Sequence, residues 1–81
     1  MSTASGTSAS DWVRLFARAL GTTPPTEDEV DQLLAIAGLA AHASERTAAP
    51  LSAWLVGRAA APPAEARAAA AQLAASLGTQ E

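Results

Sequence analysis

"TEDEVDQLLAIAGLAAHASER", from Thr26 to Arg46, is the stretch whose reading decides the fold. Thr26 is followed three residues later by Glu29, the spacing of a capping box in which each residue satisfies a free N–H of the other. Glu27, Asp28 and Glu29 place negative charge at the positive end of the helix dipole. Beyond the cap come Val30, Leu33, Leu34, Ile36, Ala37, Leu39, Ala40, Ala41 and Ala43. At about 100° per residue these positions cover well over half of the helix circumference. A helix this apolar is buried on several sides, so the segment is predicted to be the central helix of an all-α domain. It is expected to run to about Arg46, a length of roughly 30 Å. Its remaining stripe carries Asp31, Gln32, Gly38, His42, Glu45 and Arg46. Glycine inside a helix costs about 1 kcal/mol relative to alanine, and a close crossing with a neighbouring helix would explain Gly38.

Working outward, Ser10 reads as the N-cap of a helix over Asp11 to Leu20, and Gly21 as its left-handed terminator. Trp12, Leu15, Phe16 and Ala19 make one apolar face, with Arg14 and Arg18 as a solvated strip beside it. Residues 1–10 are small and polar and are predicted to be a disordered leader; residues 11–78 are the single helical domain. On the other side, Pro50 disfavours helical geometry at Ala49 and suits the first turn of a third helix, expected from Pro50 to about Ala60. Leu51, Trp54 and Leu55 are expected to pack inward there. Pro62 and Pro63 end it, and a fourth helix follows with Ala66, Ala70, Leu73 and Leu77 as its stripe and Gly78 past its end. Four helices with short connections imply a compact, mostly antiparallel four-helix bundle. Trp12, Phe16 and Trp54 are the only aromatic residues. Truncating either tryptophan is expected to cost about 3–5 kcal/mol if its ring is core.

The composition narrows the function classes. The 81 residues contain no cysteine and one histidine, which excludes disulfides and thiolate metal sites and leaves no zinc site. A domain so small must then be stabilised by helix packing or association. Five arginines scattered along a chain of net charge −3 lack the basic face of a nucleic-acid binder, so no nucleic acid is expected as a partner. No apolar run reaches the roughly eighteen residues of a membrane span, and no secretory signal opens the chain. A cytoplasmic protein without cofactor is expected. The serines have no base and orienter at recognisable spacing, and no glycine-rich phosphate loop is present, so no enzymatic activity is expected.

Three places are candidate sites. His42 and Arg46 are four apart at the carboxyl end of the second helix, where cations complement the dipole by about 0.3–1 kcal/mol. Were the third helix to start at Pro50, the N–H groups of Leu51, Ser52 and Ala53 would lie near both cations. His42, Arg46 and Ser52 would then form an anion site for a phosphate or carboxylate. The dipole reading leads. Leu39 lies toward the polar side of its helix and is either covered by a neighbour or part of an association surface. Arg58 shares a face with Trp54 and either stacks over the indole or extends to solvent. The acidic run from Glu27 to Asp31 reads as capping rather than as a metal cage.

The order of features continues into "AAHASERTAAPLSAWLVGRAA", from Ala40 to Ala60. With a Trp-bearing first helix and an acidic start to the second, it resembles a family of small actinobacterial helical domains of unknown function. Members of that family occur alone or appended to molybdenum-cofactor guanylyltransferases. The resemblance extends over about Asp11 to Leu77, and its specific part is Ala40 to Gly57. His42, Arg46, Ala48, Ala49 and Pro50 match the family pattern, whereas the last helix is richer in alanine than is usual there. The resemblance implies a non-catalytic accessory module with a protein partner in molybdenum cofactor biosynthesis. A small anion- or nucleotide-type ligand-binding domain and a homo-oligomeric bundle are the alternatives.

Overall fold

The computed structural model describes residues 7–78. Among them are four α-helices and no strand: α1 Ala9–Leu20, α2 Glu27–Ala43, α3 Ala48–Ala59 and α4 Pro63–Gly78. The all-α, four-helix architecture is as the pattern predicts. The first six residues of the expected leader lie outside the described range. Its last residues are structured, because α1 opens at Ala9 with Ser8 as N-cap rather than Ser10. The Ser8 hydroxyl accepts the Asp11 N–H at 3.1 Å. Gly21 ends α1 in the left-handed region at φ 75°. There its N–H and that of Thr22 satisfy the carbonyls of Arg18 and Ala17 at 3.0 and 2.9 Å.

The capping box of α2 is complete. The Thr26 N–H donates to Glu29 Oε1 at 2.9 Å, and the Glu29 N–H donates to Thr26 Oγ1 at 3.1 Å. As predicted, α2 is the organising helix: α3 and α4 both pack on it, and no other pair of helices is packed closely. Ile36, 2% exposed, lies at the centre of this arrangement. The half-buried residues of α3 are Ala48, Ala49, Ser52 and Val56; those of α4 are Pro63, Ala66, Ala70 and Ala74. Both sets recur at helical spacing and are mostly small, which lets each helix lie close against α2. At the edge, Arg67 Nη1 donates to Gln32 Oε1 at 3.2 Å and ties α4 to α2.

Three expectations about packing are corrected. The large residues of α3 do not point inward: Leu51, Trp54 and Leu55 are all more than half exposed. The face turned to α2 is the smaller one through Ser52 and Val56, because alanine-rich faces permit a closer approach than bulky ones. Truncating Trp54 therefore removes surface rather than core, and the cost expected of a core tryptophan does not apply. On α4, Ala74 takes the inward place expected of Leu73 and Leu77, which stand 61% and 49% exposed. Gly38, finally, marks no helix crossing: it is exposed, and a Cβ built on it meets nothing within 4 Å.

Candidate functional site

Both ends of the α2–α3 connection depart from the spacing that would build an anion-binding corner. Helix α2 stops at Ala43, with Ser44 as C-cap at φ −135°, ψ −107°, so Glu45 and Arg46 lie in the following turn rather than on the helix. His42 remains on the last turn of α2, where a cation complements the dipole. Arg46 no longer shares a helical face with it. Helix α3 begins at Ala48, two residues before Pro50, and Thr47 precedes it without a side-chain cap. Pro50 thus occupies the third helical position, where its missing N–H is not needed.

This early start changes which N–H groups open the helix. The N–H groups of Ala48 and Ala49 bond the carbonyls of Glu45 and Arg46 at 2.9 and 3.1 Å. Those of Leu51 and Ser52, now past the first three positions, face carbonyls four residues back in the helix ladder. Ser52 is half-buried and lines an apolar groove, whereas His42 is exposed and borders a shallow depression beside Leu39, Ala74 and Leu77. His42 and Ser52 therefore face different surroundings, and the N–H groups of Leu51 and Ser52 lie within the ladder of α3.

Leu39 is half-buried at the floor of that groove. The floor is Ile36, Leu39, Ala40 and Ala43 of α2; Ser52, Leu55 and Val56 of α3 form one wall, and Ala70, Leu73 and Leu77 of α4 the other. The groove has a volume of about 320 Å³, and none of the described residues that line it is charged. It exists because α3 and α4 each pack on α2 but not on one another.

Two further apolar surfaces are open. On α1, Trp12, Leu15, Phe16 and Leu20 are each about half exposed or more. The Trp12 and Phe16 rings stack at 5.7 Å between centroids, and on the opposite face Arg14 pairs with Asp11. On α3, the Arg58 guanidinium lies 5.0 Å from the centroid of the exposed Trp54 ring, a cation–π contact. Leu51 stands one turn before Trp54 on the same side. The sequence spacing had placed these residues on their shared faces; it could not show that the faces are left open.

A Trp-bearing amphipathic first helix, a boxed central helix and an Ala-Ala-Pro entry to the third define a small all-α domain. The chain belongs to the family described as domain of unknown function DUF6457, which it matches over residues 4–81. No curated protein matches it. No solved structure matches it either. Among the described residues, no helix is long and apolar enough to cross a membrane.

Proposed function

We propose that this domain is a non-catalytic, cytoplasmic interaction module that docks on a protein partner through the outer face of α3. The observation that carries this reading is the exposed pair Leu51 and Trp54, with Arg58 stacked on the indole. Tryptophan and arginine are the residue types most enriched among interface hot spots. An exposed indole pre-ordered by a guanidinium loses little freedom when it is buried. The strip also overlaps the Ala40–Gly57 segment on which the resemblance to actinobacterial domains appended to molybdenum-cofactor guanylyltransferases rests. A guanylyltransferase of molybdenum cofactor biosynthesis is accordingly the proposed partner.

Titration calorimetry of the full chain with a purified actinobacterial molybdenum-cofactor guanylyltransferase tests this reading. Saturable binding that Trp54→Ala weakens by about 30-fold or more, the level of a hot spot, is the expected result. Absence of binding, or binding indifferent to Trp54→Ala in a variant of unchanged helicity, overturns it.

A further inference from the structure

The α2–α3–α4 unit has an apolar groove along one side, and the same chain carries an amphipathic helix whose apolar face is about half exposed or more and is not closely packed on another helix. We infer that the two belong together across copies: α1 of one chain lies in the groove of a second, reciprocally, giving a two-fold symmetric dimer. This goes beyond the partner reading and stands independently of it, since it uses α1 and the groove rather than the Leu51–Trp54 strip.

Dimensions and pattern agree. Along α4 the groove runs from Ala66 to Leu77, about 17 Å of helix, and α1 is 12 residues or about 18 Å long. Trp12, Leu15, Phe16, Ala19 and Leu20 recur at the i, i+3, i+4, i+7 and i+8 positions by which an amphipathic helix enters an apolar groove. The uncharged groove lining suits that face, and the exposed Arg14 and Arg18 form the solvated strip beside it. With α1 in place, the three-helix unit becomes a four-helix bundle, the arrangement in which each helix buries its stripe.

The exposed area leaves enough surface for a dimer interface. The chain exposes 6058 Å², whereas a folded monomer of 8.1 kDa exposes about 4,500 Å². Assigning the residues outside 7–78 the full area of an unfolded chain, about 1,300 Å², still leaves an excess of about 600 Å². Without that allowance the excess is about 1,600 Å². These bounds bracket the roughly 800 Å² that each partner contributes to a stable interface. A second copy is favoured over a foreign helix because one chain supplies both complementary surfaces in equal number. Reciprocal docking also closes the assembly, so no further copies add. It is favoured over α1 folding into its own groove because α1 is not closely packed on any helix of its own chain.

Sedimentation equilibrium of the full chain is expected to give the mass of two chains. Phe16→Arg on α1 and Leu73→Arg on the groove wall alter exposed side chains, so each variant should keep its helical circular dichroism while dimerising at least about 30-fold more weakly. Mixing the two variants is expected to restore dimers, because the intact α1 of one then meets the intact groove of the other. A wild-type monomer overturns the inference, whether Trp12 is solvent-exposed or is shielded from a fluorescence quencher by its own groove. A dimer that persists in both folded variants, or a mixture that stays monomeric, also overturns it.

Discussion

At the scale of single residues, backbone geometry gives the clearest expectations. Gly38 stands on an open face of α2 with room for a methyl group. Gly38→Ala is therefore expected to stabilise the domain by up to about 1 kcal/mol, read as a higher midpoint in urea. Ala60 is the opposite case. It ends α3 in the left-handed region at φ 55°, where its N–H and that of Ala61 satisfy the carbonyls of Gly57 and Val56 at 3.1 and 3.3 Å. An L side chain there costs roughly 1 kcal/mol, so Ala60→Gly is expected to raise the same midpoint. The tight stop after α3 was legible from Pro62 and Pro63, but the alanine that adopts the positive φ was not. No side chain at Ala60 signals it; the conformation follows from the path the chain must take to return α4 to α2.

Among elements, the best-read boundary is the start of α2. The Thr26–Glu29 box uses only contacts within three residues, so the sequence spacing is sufficient to place it. Thr26→Ala removes one side of that box and is expected to destabilise the domain by about 1 kcal/mol in thermal or chemical denaturation. The α2–α3 boundary was legible only to within a few residues. Pro50 correctly signalled a break before it, yet the break lies earlier, because Pro50 is tolerated anywhere in the first turn of a helix. That small shift takes Arg46 off α2 and turns the free N–H groups of α3 back onto its own connection. The candidate corner of His42, Arg46 and Ser52 depended on two helix ends coinciding, and nothing local enforces such a coincidence.

For the whole molecule, the central fact is how little is fully covered: among the described residues Ala17 and Ile36 are the buried apolar ones, while both tryptophans and most leucines face outward. If docking of α1 between copies supplies the missing burial, stability is linked to protein concentration by mass action. The thermal midpoint is then expected to rise on tenfold concentration in the wild-type chain and to stay constant in Phe16→Arg. What the sequence alone determined is the set of helices, the Gly21 stop, the Thr26–Glu29 box and the central position of α2, because these follow from interactions within about four residues and from one unusually broad apolar surface. Only the tertiary structure decided which face of each remaining helix turns inward. Alanine and leucine alternate around α3 and α4 without a sharp polar boundary, so the inward face is chosen by how closely a partner helix can approach. The small faces won that choice and left the large side chains on the outside.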